Sequence, residues 1–356
     1  MDIMRRISRR IFSNVFALLL CGAALAAQAL PGTAAAPQPP APPPAPSARA
    51  LPQAPTIVTS SDLVNMVFSV QDKHGAFVPN LTKDDFRVLD DGHPQTIRFF
   101  SAENQLPVTL GLLLDTSPSQ AGVLGEEQQI SDAFFRRVMT PKDLAFVIGF
   151  DVNTSLLRDL TASTDRLTAA INGARIGGAD ASGSILNPGP FPSSSQTGAT
   201  HLWDAIYLAC HDELAQQVGR KAIIVVTDGG EQGSTYTDQD ALRAALDSNT
   251  VVFAVFAYDR GFSGYGGSGR GPGPGQLQHI AEETGGRSYD VGTNVQKAFD
   301  QIQQELRSQY SLGYRPDPPA ARSGFHAVKI ELTGPAGNGA KVRARSGYYP
   351  AVNNQP

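Results

Sequence analysis

Cysteine is almost absent: Cys21 and Cys210 are the only two in 356 residues. Cys21 lies in an N-terminal stretch that reads as an export signal, so the mature chain keeps a single thiol and cannot form an intramolecular disulfide. An exported fold of this kind is held by its core and by any metal it binds. Charge is sparse as well, 17% of residues against 41% hydrophobic, which excludes a wholly disordered chain. The net charge of −4 leaves no global basic surface for nucleic acid. No G-X-Y period accompanies the 35 glycines and 26 prolines, so a collagen-like rod is excluded too.

Glycine and proline are instead concentrated in a few segments. Residues 1–30 carry four arginines, an apolar stretch over 11–27 that is short for a membrane span, and small-residue pairs at 24/26 and 27/29. This is the pattern of a cleaved signal peptide, a retained anchor helix being the alternative. Ser8-Arg9-Arg10-Ile11-Phe12 fits the start of a twin-arginine signal. Leu20 stands before Cys21 where a lipoprotein signal wants a small residue. Cleavage removes four arginines and Asp2, a net +3, and takes the formal charge from −4 to −7. Residues 31–55 hold ten prolines in 25 positions, an extended spacer.

Residues 56–105 and 309–350 alternate apolar and polar residues between turn signals such as Asp72-Lys73-His74-Gly75 and Asp90-Asp91-Gly92, as half-buried β-strands do. Either piece alone is too small to be stable, and together they predict one β-sandwich-like domain with 106–308 inserted in it. The insert alternates continuous apolar runs (108–115, 144–150, 222–227, 251–257) with helical segments near 122–138, 163–174, 201–217, 237–248, 275–284 and 293–308. This predicts a doubly wound, mostly parallel α/β sheet with ligand sites beyond the carboxyl ends of its strands. Loops 176–199 and 259–275 are rich in Gly, Ser and Pro and are expected to be mobile. Cys210 falls in an amphipathic helical pattern, where a buried inert thiol is expected.

The first apolar strand ends in Asp115-Thr116-Ser117-Pro118-Ser119. One carboxylate and two hydroxyls spaced two apart in a turn can converge on a hard cation; a plain helix cap is the simpler use of the same residues. The run 222–227 ends in Asp228-Gly229-Gly230, a second carboxylate at the same sheet edge. Thr200, in Gly198-Ala199-Thr200-His201-Leu202-Trp203-Asp204-Ala205-Ile206, stands at a loop-to-helix junction within reach of that edge.

With these motifs the chain resembles the von Willebrand factor type A (VWA) family, whose metal-ion-dependent adhesion site (MIDAS) combines a D-x-S-x-S turn, a Thr in a G-x-T-x-L-x-D-A-I context and an Asp in a T-D-G turn. Asp115, Ser117, Ser119, Thr200 and Asp228 fill those five positions. Leu81-Thr82-Lys83-Asp84-Asp85-Phe86, Thr284-Gly285-Gly286-Arg287 and the segment 306–314 are similar to recurring segments of the VWFA-related Acidobacterial domain family, over residues 60–350. The resemblance implies a VWA, Rossmann-like fold and a divalent cation, usually Mg²⁺, with Mn²⁺ or Ca²⁺ as alternatives. It implies Ser117, Ser119 and Thr200 as direct ligands, and Asp115 and Asp228 as ligands directly or through water. It also implies a protein or cell-surface partner that supplies a carboxylate, and a last helix, 293–308, able to shift when the site is engaged. Pro118 stands where the family often has Gly, and removes no oxygen donor.

Three functional readings stay open. The first is an exported, non-enzymatic binding or adhesion module, periplasmic, extracellular or envelope-associated, with membrane association only if the N-terminal segment is retained. The second is a metal-assisted hydrolase or phosphatase; its D-x-D pair is missing, since Ser117 stands at the second position. The third is a metal-independent envelope scaffold. No G-x-G-x-x-G follows Asp115, so a dinucleotide site is not supported, and the eight glycines of 259–275 read as a surface loop. His201 reads as a surface or packing histidine, and Asp204 as a capping or hydrogen-bonding residue rather than a ligand. Neither the five candidate ligands nor their neighbours supply an activated nucleophile.

Overall fold

A computed structural model describes residues 63–102, 107–177, 200–258, 273–320, 323–334 and 339–350. The signal, the spacer and most of the two Gly-rich loops lie outside the described residues. In chain order, β1 (Val64–Gln71), β2 (Phe86–Asp90), β3 (His93–Gln95) and β4 (Ile97–Ala102) precede β5 (Val108–Asp115) and α1 (Leu124–Val138). Next come β6 (Leu144–Phe150), β7 (Thr154–Thr161), α2 (Thr164–Gly173), α3 (Leu202–Leu208), β8 (Arg220–Thr227) and α4 (Asp238–Asp247). The chain closes with β9 (Thr250–Ala257), α5 (Gly273–Glu283), β10 (Arg287–Gly292), α6 (Val295–Arg307), β11 (Gln309–Tyr314), β12 (His326–Leu332), β13 (Lys341–Ala344) and β14 (Gly347–Tyr348).

The central sheet has the order β10-β9-β8-β5-β6-β7, parallel throughout except for β7. Its strands β5, β8 and β9 are buried at every position, because helices cover both faces. Leu110, Leu112 and Leu114 pack with α1, α2 and α6 on one side, while Leu113, Ile223 and Val225 pack with α3, α4 and α5 on the other. The chain passes from β5 to β6 on one side and returns to β8 on the other, so the strand order reverses between β5 and β8. That is the switch point at which open α/β sheets place their ligands.

Two strands of this sheet have no counterpart among the apolar runs. β7 and β10 form its edges, each covered less completely than the inner strands, and polar residues break their patterns. Helix ends follow local chemistry: Ser163 caps α2, and Thr237 with Asp240 forms a reciprocal capping box on α4. The helical pattern over 201–217 resolves into α3 followed by a π-helical stretch, Ala209–Leu214. Cys210 lies in that stretch, fully buried, and burial pushes its thiol up to about 12. A thiol-directed reagent is therefore expected to modify Cys210 only after unfolding. Peptide mapping that finds Cys210 labelled in the folded chain would contradict this.

The flanks build two further four-stranded sheets, β13-β1-β11-β4 and β14-β12-β2-β3. Strands from the two ends of the chain pair with each other, with Phe68 opposite Tyr310 and Val88 opposite Ile330. Met66, Phe68, Val88, Leu312, Tyr314 and Ile330 share one apolar cluster between these sheets, so they form a sandwich. A doubly wound sheet inserted in a sandwich is the architecture the residue pattern predicts.

The seam between the two layers is polar and close-fitting. Helix α5 ends with Gly285 at φ +83°, with Gly285 N–H donating to Glu282 O and Gly286 N–H to Ala281 O, the paired bonds of a left-handed helix cap. The same segment pairs with the sandwich through Thr284 and Arg345, and Ser346 N–H donates to Glu283 O. The Arg345 guanidinium donates to Asn65 O at 2.9 Å and Leu246 O at 3.3 Å, tying β1 to the end of α4. Ser69 donates to the buried Glu305 of α6 at 2.8 Å, and Arg287 of β10 donates to Gln71 of β1.

Candidate metal centre

Asp115 is the last residue of β5 and is fully buried. Its Oδ1 accepts from the Ser117 N–H at 2.9 Å and its Oδ2 from the Thr227 hydroxyl at 2.5 Å. The second contact follows from register: Leu114 pairs with Val226 across β5 and β8, which sets Asp115 and Thr227 at the same carboxyl edge. Ser117 and Ser119 flank Pro118 at the start of a short 3-10 turn, with their hydroxyl oxygens 2.9 Å apart. Proline suits the first position of that turn because it lacks an N–H and none is needed there.

Thr200 stands two residues before α3 and is paired in both directions with the backbone of Gln232. Asp228 directly follows β8, and its Oδ1 accepts from the Gly230 N–H at 2.8 Å. A Cβ added at Gly230 would lie 3.1 Å from Asp228 Oδ1 and 3.9 Å from Thr200 Oγ1. Gly230 thus keeps open a small cradle bordered by both candidate ligands. All five sequence-predicted residues stand at the carboxyl edge of the sheet, around the switch point.

The electrostatics of this edge favour a cation. Burial pushes the Asp115 carboxyl up to about 7, the Ser117 and Thr227 hydrogen bonds oppose the rise, and the charge of Asp228 adds to it. Donors here are carboxylate and hydroxyl oxygens, the set preferred by hard divalent ions. A cradle that a Cβ at Gly230 would crowd, a buried carboxyl whose charge its neighbour opposes, and an all-oxygen donor set together fit a site for a hard divalent cation.

Of the surrounding residues, Thr227 and Glu231 carry no candidate role in the sequence, whereas Asp204 and His201 do. Thr227 accepts from the Gly229 N–H at 3.0 Å while donating to Asp115, so it links the two carboxylate turns; its only sequence signal is its place in the T-D-G triplet. Glu231 caps α3, accepting from Leu202 N–H at 2.9 Å and from the Ser234 hydroxyl at 2.9 Å. Asp204 accepts from the N–H groups of Thr235 and Tyr236, both at 2.8 Å, and so secures the loop after Asp228. His201 is buried, with its backbone N–H donated to Asp151 O at 2.7 Å and its ring Nδ1 3.8 Å from Asp204.

A separate group, Asp90, Asp91 and His326, gathers at one end of the sandwich. His326 Nδ1 lies 2.8 Å from Asp91 Oδ2, and the Tyr314 and Tyr348 hydroxyls donate to Asp90 Oδ2 at 2.8 and 3.0 Å. These contacts hold the group together at the β2–β12 end of the sandwich.

No protein-family model and no curated protein matches the chain. Among solved structures it is similar to proximal thread matrix protein 1 from the mussel byssus, at 13% identity over 61% of this chain and a TM-score of 0.45. The chain spans about half of that protein, 51% of its length. Another structure of the same mussel protein, described as having a zinc-occupied MIDAS motif, gives 14% identity, 61% and 49% coverage and a TM-score of 0.44. A von Willebrand factor type A protein from Catenulispora acidiphila is similar at 10% identity, over 82% of this chain and 75% of its own, with a TM-score of 0.41.

Proposed function

We propose that the chain is an exported, VWA-like binding module that recognises a protein or cell-surface ligand through a divalent cation held by Asp115, Ser117, Ser119, Thr200 and Asp228. What supports this reading is that five oxygen-bearing residues from three separate segments stand at the carboxyl edge of the sheet beside the switch point, with Asp115 hydrogen-bonded to Ser117 and Thr227 and Asp228 to Gly230. In this reading 1–30 is the export signal, 31–55 the spacer, 106–308 the binding domain, and 56–105 with 309–350 the sandwich. Among the described residues no helix is long and apolar enough to cross a membrane.

A bound divalent cation supplies an electrophilic position that a partner carboxylate can occupy. The chain's own residues do the rest. Thr227 and the Ser117 N–H fix both oxygens of Asp115, and the Gly230 N–H fixes Asp228. The buried thiol of Cys210 is not a nucleophile, and His201 is held inside the fold, so the site is read as binding rather than catalytic.

Affinity purification from envelope extracts in Mg²⁺, repeated in chelator and with Asp115→Ala, tests the reading. It expects a retained species that is lost in both controls. Equal retention of the same species in Mg²⁺ and in chelator would overturn shared coordination and favour the metal-independent scaffold.

A further inference from the structure

Glu127 sits on the inward face of α1, one turn from its start, and is fully buried. Neither carboxylate oxygen has a hydrogen-bond partner. A carboxylate in such a place is costly, and a buried polar group left unpaired in a folded chain calls for a water or an ion. Two more buried atoms in the same stretch of chain have no partner, Gln120 Oε1 just before α1 and Ser131 Oγ one turn further along the helix.

The direction of the side chain follows from topology. Helix α1 connects parallel neighbours β5 and β6, so it starts at the carboxyl edge of the sheet and runs back toward the amino edge. Side chains on a helix lean toward its N-terminus, which carries Glu127 toward the edge where Asp115 and Asp228 stand. Those two carboxylates are near enough that their charges add to the effect of burial in raising the Glu127 carboxyl well above the usual range. Gln120, whose Nε2 donates to Ala257 O at the carboxyl end of β9, belongs to the same edge.

We propose that Glu127 is an outer carboxylate of the cation centre, a positioning residue whose two oxygens accept hydrogen bonds from the waters that complete the cation's coordination shell. The proposal rests on the cation reading above. It assigns a role to a carboxyl that the five-residue motif does not include, on a helix face whose other buried residues are Leu124, Ser131, Phe134, Phe135 and Val138.

The test is calorimetric titration of the full chain with Mg²⁺ and with Mn²⁺, for the wild type, Glu127→Gln, Glu127→Leu and Asp115→Ala, alongside the metal-free melting temperature of each. Outer-shell partners of metal ligands are worth roughly 10- to 100-fold in affinity, and a loss of that size is expected for Glu127→Gln and Glu127→Leu. Because both variants remove a buried carboxyl that has no hydrogen-bond partner, metal-free melting temperatures equal to or above that of the wild type are expected. Wild-type affinity in Glu127→Gln, with affinity lost in Asp115→Ala, would overturn this inference and leave the cation reading standing. A lowered metal-free melting temperature with unchanged affinity would assign Glu127 a structural role instead. A wild-type chain that binds neither ion would remove the centre and the inference with it.

Discussion

Asp115→Ala is expected to reduce Mg²⁺ affinity by about 100-fold or more while leaving a cooperatively folded chain. Outer partners of metal ligands are themselves worth roughly 10- to 100-fold, and Asp115 is more central than an outer partner. Its two oxygens fix the Ser117 turn and bind Thr227, so its loss loosens both halves of the cradle at once. The cost to folding is offset internally. The variant leaves the Ser117 N–H and the Thr227 hydroxyl without that acceptor, at about 1–3 kcal/mol each if they stay dry. It also removes a fully buried carboxyl whose charged form the site disfavours. Calorimetric titration together with circular dichroism separates the two effects. Unchanged Mg²⁺ affinity in a folded Asp115→Ala chain would take Asp115 out of the site.

The largest expected loss of stability is at Gly286. A Cβ there would lie 2.0 Å from Val252 O and 2.8 Å from Val252 C, atoms of the β9 backbone rather than of a side chain that could swing away. Strand β9 is an inner strand, paired with β8 on one side and β10 on the other, so it has little freedom to retreat. Overpacking of a well-filled interior costs about 1–3 kcal/mol and occasionally more, and Gly286→Ala is expected at or above the top of that range. The urea midpoint should fall with the slope unchanged. Gly125→Ala is the control: nothing lies within 4 Å of a Cβ at that helical position, and a gain of several tenths of a kcal/mol is expected. Equal midpoints for Gly286→Ala and the wild type would contradict the close approach at this seam.

These two glycines of Thr284-Gly285-Gly286-Arg287 show how a recurring segment acquires a physical reason only with the fold in hand. Gly285 ends α5 in the left-handed region, and a Cβ on it would lie 2.7 Å from Ala344 C and Arg345 N. In the sequence the pair is recognisable as a turn, but the β9 and β13 backbones it touches are more than 30 and more than 50 residues away.

The inner strands are legible because both faces are covered, which makes each an unbroken apolar run. The edge strands β7 and β10 are not, since each has one neighbour and mixes Arg158 and Asp159, or Arg287 and Asp290, with its apolar residues. The sandwich is legible from alternation at the two ends of the chain. Its pairing across more than 200 residues has to be inferred from the size of each piece.

For the candidate centre, the five oxygen-bearing residues are legible because each occupies a turn with a distinctive triplet or pentad. Glu127 is not. In Gly125-Glu126-Glu127-Gln128-Gln129 any of four polar residues could face inward, and only the phase of α1 decides which one does. Thr227 escapes notice for a similar reason, because a hydroxyl beside a strand-ending Asp reveals its partner only when β5 and β8 are set in register.

Anomalous diffraction from crystals of the chain grown with Mn²⁺ locates the cation. One strong peak is expected at the carboxyl edge between β5 and β8, coordinated by oxygens of Ser117, Ser119 and Thr200, with Asp115 and Asp228 bound directly or through water. A peak confined to Asp90, Asp91 and His326, or none at the sheet edge at saturating Mn²⁺, would contradict that placement.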